Sequence, residues 1–327
     1  MSPELGLQEF DPNAPPPPVE NCDVLKPQEL AKYRVKRAEW LGWYKFQTNE
    51  PNNIEGQIIG MTFLDMSYRM MTKPRSDIPQ DVNIAARNGL LAHMLDLGYA
   101  ATQVLAIRRL LDTRPDVASL QRLLNDLKSN RRLITRENYV AYDGKPYNPD
   151  SWQLLPASPE IQIWGSDAPG LHGYVISNER HKLFDQLSGV SVTNRSRTDL
   201  ISANIFDKLQ GWLRSVEGEK LVRLSHKFFA HAADSDSRGT LADSGVLLSD
   251  IEKAQRAIVR VERAITDDIL FIGVAREVVA MQPLGFLSAL DAPYVTTETI
   301  AKMDAHWDEL KAERETWSQG YENDLYS

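Results

Sequence analysis

Apolar side chains in this chain recur at three- and four-residue spacing, segment after segment, and that rhythm confines it to helix-on-helix packing. The strongest instance runs from about Val82 to Leu111. There Ala85, Leu90, Leu91, Met94, Leu95, Leu97, Ala101, Val104, Leu105, Ile107 and Leu111 form a wide apolar stripe. The same period places a helix over about Gln28–Phe46, with Leu30, Tyr33, Arg37, Trp40 and Tyr44 in register, and another over Ile54–Met71. It continues over Val117–Leu127, over a short His181–Leu187, over Arg197–Ser215 and over Glu217–Ala232. A long helix enters through Ser249-Asp-Ile-Glu and carries Ile258, Val261, Ile265, Ile269 and Ile272 to about Val279. A polar helix over Ala301–Trp317, anchored by Trp307 and Trp317, closes the pattern. No series of alternating β-branched runs competes with it, so the predicted fold is all-α, a multi-helix bundle.

Proline organises the rest. Pro15–Pro18 favours an extended, disordered tail over residues 1–28. Lys73–Pro79 is expected to end the second helix. Prolines 146, 149, 156, 159 and 169 exclude long helices from a central connection, placed at 142–179, with room for a short strand at Ile161–Trp164. That connection separates an N-terminal helical region, 29–141, from a C-terminal bundle, 180–327, although the two can share one core.

With 327 residues the chain is long enough for a sizeable core. No run reaches the roughly 18 consecutive apolar residues that span a bilayer. The first residues carry neither a basic nor an apolar leader segment, so the expected location is cytoplasmic, with no membrane partner. Cys22 is the single cysteine, which leaves no internal disulfide and no multi-cysteine metal site. The net charge of −8 argues against a general duplex-DNA binder. Positive charge still gathers locally, at Arg108 and Arg109, at Lys128, Arg131, Arg132 and Arg136, and at Arg195 and Arg197. Such runs are either solvated helix faces or a local basic groove. The aromatic residues of the first helix likewise read as core packing, with base stacking as the rival.

Walker, GxGxxG, HExxH and GxSxG motifs are absent. The one concentration of chemistry is Lys220-Leu-Val-Arg223-Leu-Ser-His226-Lys227-Phe-Phe-Ala-His231. On a helix Arg223, His226 and Lys227 share a turn, and His231 follows Lys227 by four. Cations beside imidazoles suit a phosphodiester: the cations hold the phosphate, and a histidine exchanges a proton near neutral pH. His226 and His231 are five apart, which does not stack two metal ligands on one helix face, so no metal and no cofactor is expected. The plainer alternative makes His231 a helix C-terminal cap and His226 a surface residue. His93 and His181 read as helix-face residues without a role.

The segment Ser225–His231, SHKFFAH, followed by an acidic loop and a long helix, resembles the RDKxxAH-type segment of HEPN-like helical proteins, and within them the abortive-infection U-type branch. The resemblance covers about 180–280. It implies a metal-independent ribonuclease site completed across a homodimer, in phage defence or a toxin–antitoxin pair. Carried over, His231 transfers the proton, Arg223 clamps phosphate, and His226 and Lys227 position the RNA backbone. Ser225 occupies the place where the family has arginine, so Arg223 substitutes from two residues earlier or the pair is broken.

Two functions therefore stand side by side. One is an RNA-cleaving or RNA-binding protein. The other is a non-catalytic helical module for dimerisation or for binding a protein partner. In both, self-association is expected through the C-terminal bundle, because the long helix offers a broad apolar stripe.

Overall fold

A computed structural model of the chain describes residues 16–45, 52–77, 89–150, 171–215 and 248–272 and, near the C-terminus, 302, 305, 306 and 308–313. Among these residues the protein is a helical bundle with no strand, only an isolated bridge between Thr135 and Leu200. The helices are α1 (Pro27–Tyr44), α2 (Ile54–Asp77), α3 (Gly89–Leu110), α4 (Leu120–Ser129), α5 (Arg136–Ala141), α6 (Leu171–Ser188), α7 (Ala203–Arg214) and α8 (Leu248–Arg263). No described helix is long and apolar enough to cross a membrane. Residues 281–327 form a separate compact unit, in which the described residues are helical and His306 Nδ1 lies 3.2 Å from Glu309.

The first unit holds one core. Leu30, Tyr33, Trp40 and Tyr44 of α1 are buried together, at the spacing the sequence predicts. The aromatic face of α1 is thus packing, with the Trp40 indole donating 2.6 Å to Asp126 Oδ2. Leu120, Leu123, Leu124 and Leu127 bury one side of α4, whose first turn is capped by Ser119 accepting from Arg122 N. Ser202 caps α7 in the same way, and Phe206, Leu209 and Leu213 face inward. From α8 come Ile251, Ala254, Ile258 and Val261. Side chains from both sides of the proline-rich connection belong to this cluster, so the N-terminal and C-terminal helical regions share one interior.

Several boundaries differ from the sequence expectation, each for a physical reason. The second helix runs through Pro74 to Asp77, because a proline close to a helix end removes only one backbone donor. Helix α6 begins at Leu171, ten residues before the expected His181. Its inward face is Ser177, Arg180, His181, Phe184 and Leu187, a helical period written largely in polar residues. The short α5 escapes an apolar search for the same reason, since Arg136, Glu137 and Asn138 are buried. The last helix of the unit does not continue as an α-helix to Val279. It widens into a π-turn over Ala264–Ile269, and Phe271 follows at φ +46°.

Residues 16–26 are also held to the fold rather than trailing from it. Cys22 is buried, Arg34 donates to the Pro17 and Tyr142 carbonyls, and Glu137 Oε1 accepts from Leu25 N at 2.8 Å. Arg197 closes the strap with Asp23 at 2.8 Å and Glu137 at 3.4 Å.

The centre of this polar framework is Arg136, whose side chain is 0 % exposed. Its guanidinium meets Asp185 at 2.7 Å and Asp199 at 2.8 Å, donates to Ser188 Oγ at 3.3 Å, and lies 4.9 Å from the Phe184 ring centre. Removing one member of a buried pair leaves an uncompensated charge. Arg136→Leu is therefore expected to lower the unfolding free energy by about 3 kcal/mol or more. Urea titration checks this, and a double-mutant cycle with Asp199→Asn should show that the two losses do not add.

Candidate functional site

The residues that the sequence marks for catalysis, Arg223, His226 and His231, and the substrate-binding Lys227 lie outside the described residues. The same holds for the Glu217–Ala232 helix, for the Ile161–Trp164 strand, and for Trp307 and Trp317.

Basic residues come first, since a nucleic-acid surface needs them free. Three of the clustered arginines are paired with carboxylates, Arg136 fully buried and Arg195 and Arg197 partly exposed. Arg136 is buried against Asp185 and Asp199, Arg195 holds Asp185 at 2.6 Å, and Arg197 ties Asp23 to Glu137. Burial pushes the Asp185 carboxyl up, but hydrogen bonds from Arg195 and Arg136 outweigh it and hold the group below the usual carboxylate range. Lys128 bridges to Asp207 at 2.8 Å and Gln210 at 2.8 Å. These four cations stitch segments of the fold to one another through carboxylates.

His181 is likewise structural. It is buried on α6, and its Nε2 lies 2.6 Å from the Tyr147 carbonyl, so that nitrogen carries the proton. Burial holds its pKa below the ordinary value, which keeps the ring neutral.

A cleft of about 540 Å³ opens between the end of α1, the start of α2 and the α3–α4 connection. Its polar walls are turned on one another. Gln57 Nε2 donates to the Asn52 and Ala118 carbonyls, Arg109 donates to Asn52 Oδ1 at 3.3 Å, and Arg114 pairs with Asp112 at 3.1 Å. The Arg122 guanidinium covers the Trp43 ring at 3.9 Å.

A strongly perturbed acid stands on α8 just before the π-turn. Glu262, 1 % exposed, accepts from the Tyr44 hydroxyl and from Thr266 Oγ1 at 3.3 Å through Oε1, while Oε2 has no partner. Burial raises its pKa from 4.5 to about 7, against the smaller opposing effect of the two hydroxyl bonds. Tyr139 donates 2.6 Å to the Asp268 carbonyl and Arg37 donates 2.8 Å to the Leu270 carbonyl, so the turn's carbonyls are held from α5 and α1. Glu262 is shut inside the protein, where it acts on stability rather than on a substrate.

The remaining feature is an exposed apolar face. Helix α3 buries Tyr99, Gln103, Val104, Ile107 and Leu110 on one side. On the other side Met94, Leu97 and Leu105 stand 62 %, 39 % and 39 % exposed, with Ala101 completing the i, i+3, i+7, i+11 row. The neighbouring α2 exposes Leu64, Met66, Met70 and Met71. The sequence shows this stripe as unusually wide but does not divide it into inner and outer halves. By contrast the α8 stripe, expected to support self-association, is consumed in the protein's own core at Ile251, Ile258, Val261, Ile265 and Ile269.

Comparison with protein-family models, with curated proteins and with solved structures finds no match.

The raised acid yields a direct expectation. A carboxyl whose pKa is higher in the folded state contributes stability that is complete below the unfolded value and lost as pH rises through the folded one. Stability of the native chain should therefore fall as pH rises from about 4.5 to about 7. Glu262→Gln, which keeps an acceptor for Tyr44 and cannot ionise, should flatten that part of the profile and stabilise the protein at pH 8. Thermal melts across pH would show it, and an unchanged profile in the variant would remove Glu262 as the cause.

Proposed function

We propose that the chain is a non-catalytic helical association module whose working surface is the outer face of α3. The observation that carries this is an apolar helix covered on one side only. A helix that is apolar all round is ordinarily buried all round, because each exposed Leu or Met side chain forgoes roughly 1–2 kcal/mol of burial. Here Met94, Leu97 and Leu105 face outward in one row. Methionine suits such a surface, since its unbranched side chain adapts to the shape that meets it. The pairing of Arg136, Arg195, Arg197 and Lys128 with carboxylates supports the same conclusion, because it engages half of the eight clustered cations within the protein itself.

A photo-reactive amino acid placed at Leu97 should cross-link the native chain to a protein, whereas the same group at Lys32, on the exposed side of α1, should not. In parallel, the purified chain incubated with total RNA should show no cleavage that depends on His231. The metal-independent ribonuclease suggested by Arg223, His226, Lys227 and His231 is the outcome that overturns the proposal. It would appear as EDTA-resistant cleavage leaving 2′,3′-cyclic phosphate ends, reduced by about 100-fold or more in His231→Ala.

A further inference from the structure

Residues 16–26 are held the way a bound peptide is held, by a groove whose walls are anchored without them. We propose that this groove is a peptide-binding site, occupied in cis by the chain's own residues 16–26, and that it takes an acidic, proline-led segment of another polypeptide when this strap lifts. The proposal is independent of the association role of α3.

The recognition chemistry is visible in the cis complex. Arg34 donates to the Pro17 carbonyl at 2.6 Å and to Cys22 Sγ at 2.9 Å. Gly144, at φ +86°, makes room for the Pro17 ring, since a Cβ there would stand 2.5 Å from Pro17 Cγ. Asp23 is held twice, by Arg197 at 2.8 Å and by the Tyr147 amide at 3.1 Å. Glu137 Oε1 accepts from the Leu25 and Lys26 amides at 2.8 Å and 3.4 Å. Proline set on glycine, a carboxylate on arginine and backbone groups on fixed side chains are the means by which peptide grooves read their ligands.

The walls do not depend on the strap for their own positions. Arg34 also donates to the Tyr142 carbonyl at 2.7 Å. Arg197 lies 4.0 Å over the Tyr147 ring and 3.4 Å from Glu137, and the Glu137 amide donates to the Arg197 carbonyl at 3.0 Å. With the strap lifted, the acid and the cation of the groove still meet, so no charge is stranded.

The strap, in turn, is lightly attached. Within 16–26 only Cys22 is buried, and Leu25 stands 70 % exposed. Ion pairs and hydrogen bonds open to water contribute little net stability, so a segment held mainly by them detaches without the core unfolding. Charge then selects the ligand. Residues 1–25 carry Glu4, Glu9, Asp11, Glu20 and Asp23 and no lysine or arginine, and the groove presents Arg34 and Arg197 to this stretch. The class of partner is therefore a segment with a proline at the place of Pro17 and a carboxylate at the place of Asp23.

Cys22, the single cysteine, reports the opening of the strap in the full chain, because iodoacetamide reaches its thiol only when the strap lifts. A synthetic peptide of residues 14–26 carrying Cys22→Ser should speed this alkylation several-fold and saturably, since a ligand of the open groove raises the population of the open form. The same peptide with Asp23→Asn added, or with Pro17→Asp added, should leave the rate unchanged. In the chain itself, Asp23→Asn should speed alkylation without any peptide. By fluorescence anisotropy this variant should bind the labelled peptide more tightly than the wild-type chain does, and Arg197→Ala in the same background should abolish that binding. Circular dichroism should be the same for all the chains. Alkylation that proceeds only through global unfolding, its urea dependence matching that of the whole protein, overturns the proposal. So does a peptide that neither binds the Asp23→Asn chain nor speeds its alkylation. Acceleration by a mixed-sequence RNA equal to that by the peptide would make the groove a general polyanion site and likewise overturn it.

Discussion

Arg136 stands where four segments meet, and its charge has to be neutralised there because no water reaches it. Two carboxylates do this, Asp185 from α6 and Asp199 from the segment that leads into α7. The backbone reinforces the same junction, since Arg136 N and Glu137 N donate to the Asp199 and Arg197 carbonyls and so occupy the free donors at the start of α5. From this hub the ties run outward. Arg195 shares Asp185, Arg197 carries the link to Asp23, and Glu137 holds Leu25 and Lys26. A buried ion pair contributes little net stability compared with apolar packing, but it tolerates only one arrangement of its partners. Here that arrangement sets how α5, α6 and the 16–26 segment are fitted to the apolar core.

A second polar line crosses the core between α2, α3 and α8. Gln103 donates to the Met61 carbonyl and accepts from Gln255, both at about 3 Å, in positions closed to solvent. Each amide is satisfied by the other helices, which fixes their register in a way that leucines alone would not. Glu262 lies further along the same α8 face and is less well provided for, with one oxygen unpartnered. The widening of the helix immediately after it, at Ala264–Ile269, lets Thr266 reach back to Glu262 and the Leu270 amide reach Ile265. The stability of this corner consequently depends on a proton.

The surface proposed for association follows from how α3 is placed. Because α2 and α8 cover one side of it, its inner residues are spoken for, and what remains outside is equally apolar. Hydrophobic area of that kind is retained in a protein when something covers it for part of the time. The π-turn, the polar core and the ion-pair hub all lie away from this face.

Helical period by itself determined that the chain is a bundle, and it located α1, α4, the end of α7 and the start of α8 closely, because in those helices the buried residues are also the apolar ones. It determined, too, that Cys22 has no cysteine partner and that the Arg223–His231 stretch concentrates cations and imidazoles. Tertiary structure alone decided the rest. The inward faces of α5 and α6 are polar, so Arg136, Arg180 and His181 look like surface residues until their partners, distant in sequence, are in place. Three of the arginines that suggest a basic groove in one dimension, Arg136, Arg195 and Arg197, are held by carboxylates in three. And the wide stripe of α3 has no inner or outer side until α2 and α8 cover half of it, because burial belongs to neighbours that a local pattern does not name.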